Sequence, residues 1–218
     1  MNSVAPLIQL FIKGGPIMWP ILFTSIIALT VVSERLFFIA RERLKRQPRV
    51  VSDILARVES GDFDGAARIG AGSQDFVAAT LVYALENRDK SVSDALLRAA
   101  NWELKRFNRG LAILDTVITV APLLGLLGTV TGMIHSFSLL GGSELGAPSA
   151  ITGGIAEALI ATAFGLGVAI LSLLPFNYLN ARLEEARHEI QDAASHVEIY
   201  LVKRPSNCAF ETLESASV

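Results

Sequence analysis

Between Glu144 and Arg182 the chain carries a single charged residue, Glu157. It stands in an otherwise apolar stretch, Gly153–Gly167 (GGIAEALIATAFGLG), which also holds one hydroxyl, Thr162. A charge at the centre of a bilayer costs at least about 2.5–3.5 kcal/mol, so an ionisable side chain in such a run is a functional candidate. The chemistry on offer is proton handling. A carboxylate can take up and release a proton, while a hydroxyl can hold a water or exchange hydrogen bonds without changing charge. At about 100° per residue, with Glu157 at 0°, Thr162 falls at about 140°. Gly154, Ala158, Ala161, Gly165, Ala169 and Ser172 lie between them, with Val168 the one bulkier member. Ile155, Leu159, Ile160, Phe164, Leu166, Ile170, Leu171, Leu173 and Leu174 fill the rest of the circle. The helix therefore has a thin-walled face edged by a carboxylate and a hydroxyl. Small residues alone would equally make a helix-packing face with an incidental Glu. The Glu on its edge favours a polar pathway.

A second apolar run, Leu111–Leu140, orders its polar residues as well. Asp115, Pro122, Thr129 and Ser136 recur every seven residues. A seven-residue step drifts only about 20° on a straight α-helix, so they form one stripe. Gly125 and Gly132 lie beside the stripe, and Leu126, Leu127, Val130, Ile134 and Phe137 oppose it. Taken alone, this stripe suits helix–helix contact as well as it suits a conduit lining. Packing the two small faces together would gather Thr129, Thr162 and Glu157 into one neighbourhood. These three are the primary candidates for a polar pathway, with Asp115 and Ser136 secondary. Asp115 lies where the run leaves the polar segment, so it is either hydrated or paired with Arg109.

Other chemistry finds little support. His135 points about 120° away from Thr129 and suits a membrane interface. His188 and His196, eight residues apart without a nearby cysteine, read as surface residues rather than a zinc site. No Ser/His/Asp or Cys/His set is discernible, and Gly70–Ser73 lacks the Lys-Ser/Thr that a phosphate loop needs. The expectation is a non-enzymatic protein without metal or cofactor. The lone cysteine, Cys208, excludes an internal disulfide framework. A net charge of −2 gives no general basic surface for nucleic acid.

The elements that must position these residues follow from hydropathy. Of 218 residues 51% are hydrophobic and the mean hydropathy is +0.47, too apolar for an ordinary soluble domain. The reading is an all-α membrane protein with three transmembrane helices and long cytoplasmic helical extensions. Residues 1–16 are a short periplasmic lead, without the basic n-region of a signal peptide. Residues 17–40 form the first span, anchored by Trp19 and stopped by Arg41, Arg43, Lys45, Arg46 and Arg49. Residues 41–110 form a cytoplasmic helical region. In it Gly61-Asp62 breaks and re-caps the chain, Asn87–Lys90 turns, and Ser91 with Asp94 resembles a capping box. From Ser91 one uninterrupted helix is expected to enter the second span, 111–140. A periplasmic loop, 141–150, leads to the third span, 151–178, a cytoplasmic helix, 179–204, ended by Pro205, and a disordered tail, 205–218. Every Lys or Arg except Lys13 then falls on one side, which the positive-inside rule makes cytoplasmic.

Two segments carry a family resemblance. Ala121–Gly132 (APLLGLLGTVTG) and Gly154–Leu166 (GIAEALIATAFGL) resemble the signature segments of the MotA/TolQ/ExbB proton-channel family, most closely its ExbB and TolQ branches. The resemblance runs from about Pro16 to Asn180. It implies a homo-oligomeric ring in the bacterial inner membrane, usually pentameric, around a pair of ExbD- or TolR-like proteins. Each partner supplies one transmembrane helix with an aspartate. It also implies that Glu157, Thr129 and Thr162 line the inner path, and that proton flow moves the partner helices to energise a TonB- or TolA-like protein. The MotA branch fits less well, because the large insertion expected there is lacking. Two rivals from other classes are a non-conducting membrane scaffold and a self-contained transporter. Three spans without an inverted repeat or a broken-helix pair argue against the transporter.

Overall fold

The structure is a computed structural model that describes residues 4–88, 91–140 and 148–202. Among them are eight α-helices and no strand: α1 (Val4–Lys13), α2 (Met18–Leu44), α3 (Pro48–Ser60), α4 (Phe63–Gly70), α5 (Phe76–Glu86), α6 (Val92–Asn108), α7 (Leu111–Leu140) and α8 (Pro148–Val202). Of the sequence expectations, most of the 141–150 loop, the far half of the Asn87–Lys90 turn, the stop at Pro205 and the 205–218 tail lie outside the described residues. The chain divides into two units, one of residues 1–37 and 110–180, the other of residues 38–109 and 181–218.

Among the described residues three helices are long and apolar enough to cross a membrane, lying within Met18–Leu44, Val92–Ser138 and Thr152–Tyr200. Their apolar side chains gain little by hiding from lipid, so close packing and interhelical hydrogen bonds must hold them together. Met18, Ile21 and Ala161 form a buried cluster, against which Phe11, Ile17, Leu124, Phe164 and Val168 pack. The bulky arc of α8 is therefore divided. Phe164 packs in that cluster, while Leu159, Leu166, Ile170, Leu171 and Leu174 stay exposed. α8 is one continuous 55-residue helix that runs through Pro175.

The helix expected to run unbroken from Ser91 into the second apolar run is interrupted. α6 ends at Asn108, Arg109 turns extended (ψ 132), and Gly110 takes φ +82 before α7 begins. Left-handed backbone suits glycine. Space also favours it, because a Cβ at Gly110 would stand 3.1 Å from Val31 Cγ1 and 3.4 Å from Arg35 Cδ. The apolar periodicity on both sides masks a two-residue break of this kind.

The second unit has a conventional core, with Ile54, Val58, Ala66, Phe76, Leu81, Leu85, Leu96, Ile190 and Val197 buried together. Its caps follow from local chemistry. Gly61 ends α3, and the Asp62 carboxylate accepts the Gly65 N–H at 2.9 Å to start α4. That N–H, then the Arg57 guanidinium, hold Asp62 below the usual carboxylate range. Ser91 Oγ accepts the Asp94 N–H at 3.3 Å to start α6. His196, expected at the surface, is half-buried, with Nε2 3.1 Å from Glu59 and its ring against Tyr200.

Asp75 is the polar pivot of this unit. Fully buried, it accepts the Val77 N–H at 2.9 Å as the α5 cap, the Gln47 N–H at 2.7 Å, and Arg46 Nη1 at 2.6 Å. Arg46 also pairs with Glu189 and lies 4.6 Å from the Phe76 ring centroid. Burial pushes the Glu189 carboxyl up, and the Arg46 charge opposes that shift. An acid raised on folding favours the fold at low pH and loses that contribution as pH rises through its folded value.

Asp75→Ala would orphan the buried Val77 N–H and the Gln47 N–H and take one partner from Arg46. The expected cost is about 3 kcal/mol, the low end for breaking a buried pair, because Arg46 keeps Glu189 and some water. Thermal unfolding of the detergent-extracted protein measures it; an unchanged midpoint would show that Asp75 holds nothing together.

Candidate functional site

The three primary candidates stand around the seam between α7 and α8, where small residues meet backbone to backbone. A Cβ added at Gly125 would lie 3.0 Å from Thr162 Cα, and one at Gly128 would lie 2.6 Å from Ala161 Cβ. One at Gly132 would lie 3.0 Å from Ala158 Cβ, and one at Gly165 2.5 Å from the Ala121 carbonyl. The thin face of α8 is thus packed against α7 of the same chain, so the space its small residues leave is already filled. Helix–helix contact accounts for these glycines and alanines.

Thr162 fastens the seam. Its hydroxyl donates to the Gly125 carbonyl across the interface at 2.9 Å and to Ala158 O in its own helix at 3.2 Å. The proton is committed to carbonyls, which leaves the oxygen free to accept. Ser136 belongs to the same seam. It is buried, donates to Gly132 O at 2.8 Å, and its Oγ fills the space a side chain at 154 would need. Thr129 is half-exposed and donates to Leu126 O in its own helix at 2.6 Å. Asp115 is exposed on α7.

Glu157 turns elsewhere. On the helical wheel the seam-facing residues centre about 80° from it, and Thr162 lies on the opposite flank. Its half-buried carboxylate lies against Gly15, in the turn between α1 and α2. The seam pairs Gly125 with Thr162 and Gly132 with Ala158, which brackets Thr129 between their levels. Glu157 and Thr162 are five residues apart, so the three candidates occupy one layer about 7.5 Å deep. They face different sides of it, and among the described residues no hydrogen bond joins them. The single neighbourhood expected from sequence is a shared level rather than a contact group.

Sequence reasoning missed the Gly14–Gly15–Pro16 turn, which lies about 140 residues from Glu157 along the chain. A Gly-Gly-Pro turn beside an apolar run signals a bend, and nothing in it signals a seat for a carboxylate. No group of His, Cys, Asp and Glu among the described residues could hold a metal ion. What the arrangement offers is one carboxylate on a helix flank, with two hydroxyl oxygens at its level able to accept hydrogen bonds.

Residues 71–192 match the model of the MotA/TolQ/ExbB proton channel family, a range that contains all five candidate residues. An ExbB-like biopolymer transport protein of Synechocystis sp. is 42% identical over 188 residues, covering 82% of this chain and 72% of that one. An ExbB homolog of Methanothermobacter thermautotrophicus is 29% identical over 217 residues, covering 98% of this chain and 74% of its own. The Tol-Pal system protein TolQ of Haemophilus influenzae is 39% identical over 94 residues, 43% of this chain and 41% of that one.

The seam makes a steric prediction. Gly165→Ala pushes a methyl into the α7 backbone and is expected to cost about 1–3 kcal/mol. Gly167→Ala, where an added Cβ meets nothing within 4 Å, is expected to be neutral or to gain up to about 1 kcal/mol of helix propensity. Thermal stability of the two purified variants decides. Equal behaviour would mean that the seam is not closed in the protein.

Proposed function

The chain belongs to the MotA/TolQ/ExbB proton channel family, in its ExbB/TolQ branch, and on that premise we propose that it is the channel-forming subunit of a proton-driven inner-membrane motor. Copies of the chain assemble into a ring, pentameric by analogy with the family, around ExbD/TolR-like single-span partners. Proton flow moves those partners and energises a TonB- or TolA-like protein. The observation that carries this reading is Glu157: one carboxylate in an otherwise uncharged 37-residue stretch, residues 145–181, level with Thr129 and Thr162. A buried charge without a function would be replaced cheaply by an apolar residue, and an unassembled subunit would leave it beside lipid.

Glu157 is the group that binds and releases the proton. Thr129 and Thr162, whose hydroxyl protons are held by carbonyls, accept hydrogen bonds from a passing water. No resident cofactor is required, because the proton is itself the coupling species. The exposed leucines and isoleucines of α7 and α8 face lipid or neighbouring subunits. Orientation follows from charge: with 17 of the 19 Lys and Arg on one side outside the spans, Arg35 near that end of the first span and only Lys13 on the other side, that side is cytoplasmic, the N-terminus periplasmic and the C-terminus cytoplasmic.

Glu157→Gln keeps size and hydrogen bonding but removes the exchangeable charge. Assembly should survive, since a neutral side chain is easier to bury. Gradient-driven work and proton flux in vesicles should fall to background. Thr129→Val and Thr162→Val should lose less, because water can replace a hydroxyl. Wild-type work by an assembled Gln variant would reduce Glu157 to a packing residue. A non-conducting scaffold would show no flux in any variant. Sidedness is checked in a Cys208→Ser background, where Gly142→Cys should label from outside and Arg187→Cys from inside; the reverse would invert the path.

A further inference from the structure

The turn against which Glu157 lies is held in place from several directions. Gly14 N–H donates to Leu10 O at 3.1 Å and to Phe11 O at 3.2 Å, closing the end of α1. Met18 N–H donates to Gly15 O at 3.2 Å and Trp19 N–H to Pro16 O at 3.3 Å, opening α2. Phe11 and Trp19 meet edge to face across the turn with ring centroids 5.6 Å apart. Phe11 and Ile17 pack on the cluster of Met18, Ile21 and Ala161, which ties the turn to α8 one helical turn beyond Glu157. Gly14 faces α8 too: a Cβ there would stand 2.6 Å from Met18 Cγ and 3.1 Å from Ile160 Cγ2.

Gly15 is set apart by two independent demands. Its φ of +72 lies in the left-handed region. The place where its Cβ would stand is occupied by the Glu157 side chain, which overlaps it at Oε1 and comes within 2.6 Å at Cδ and 3.1 Å at Cγ. The carboxylate thus rests on bare backbone at a site that no other residue type leaves open.

We propose that Gly15 is a positioning residue for Glu157, and that the Gly14–Gly15–Pro16 turn seats the carboxylate so that α1 governs its exposure. This rests on Glu157 being the proton-carrying group, and it adds an element outside residues 71–192, the range that matches the family. The seat covers one side of the carboxylate, so a proton reaches or leaves it from the uncovered side, or the turn has to lift. Acting through Glu157, Gly15 needs no chemistry of its own.

The test measures two quantities on the full-length protein in native membranes: the rate at which dicyclohexylcarbodiimide labels Glu157, read by peptide mass spectrometry, and gradient-driven proton flux. The variants are Gly15→Ala, Gly15→Asn, Glu157→Asp, Glu157→Gln and the double variant Gly15→Ala/Glu157→Asp. Asn tolerates left-handed backbone better than Ala, so the pair separates strain from contact. Both single Gly15 variants should speed labelling several-fold and cut flux about 10- to 100-fold, as a misplacement of about 1 Å does. Asp is shorter by one methylene and vacates the contested space, so the double variant should label and conduct like Glu157→Asp alone, a clear departure from additivity. Backbone strain would persist in the double variant; losses that multiply there, or failure of that variant to accumulate, overturn the proposal. So do Gly15 variants that label and conduct like wild type while Glu157→Gln abolishes flux. If instead labelling responds to Gly15 but Glu157→Gln conducts normally, the seat stands and the proton-carrier reading falls.

Discussion

The membrane-spanning unit depends on one steric constraint: along the α7–α8 seam the two backbones approach too closely for side chains. Gly125, Gly128 and Gly132 on α7 face Thr162, Ala161 and Ala158 on α8, and Gly165 faces the Ala121 carbonyl. Apolar side chains gain almost nothing from leaving lipid for one another, so this proximity and its interhelical hydrogen bond must supply what burial supplies in water. The Thr162 bond to Gly125 O is such a hydrogen bond among the described residues. It also fixes the register, and with it the level of Thr129 relative to Glu157.

That register explains how a carboxylate can sit in an apolar helix without spoiling its packing. The seam uses one arc of α8, and Glu157 lies off its edge, against a turn that has no side chain to clash with. Tight packing and an ionisable group are thereby assigned to adjacent faces. A static seam and a side chain free to change its protonation are compatible in this geometry. A carboxylate pointing into the seam would have forced the two helices apart.

Much of this was legible in the sequence, for reasons that differ from residue to residue. Gly61-Asp62 and Ser91 announced helix ends because capping is local chemistry, decided within four residues. The small face of α8 was legible because helical periodicity is a property of the residue string alone. Its use was not, since a Gly and Ala arc serves a packing partner and a conduit equally well, and only the position of α7 distinguishes them. The break at Gly110 was hidden by unbroken apolar spacing on either side. The seat at Gly15 was hidden by chain distance, because no local rule connects a Gly-Gly-Pro turn with a glutamate near the far end of the sequence. The partner of His196, Glu59 on another helix, was out of reach of local rules for the same reason.

The central claim is that Glu157 itself gains and loses a proton as the assembled complex works, and infrared difference spectroscopy observes that event directly. Spectra would be recorded on membranes containing the protein with its partner, before and after a proton gradient is imposed. A carboxylic C=O band should change with the gradient, shift on carbon-13 labelling of glutamate, and be missing from Glu157→Gln. Difference spectra that are the same in wild type and Glu157→Gln would contradict the account, because the gradient would then leave the protonation of Glu157 unchanged.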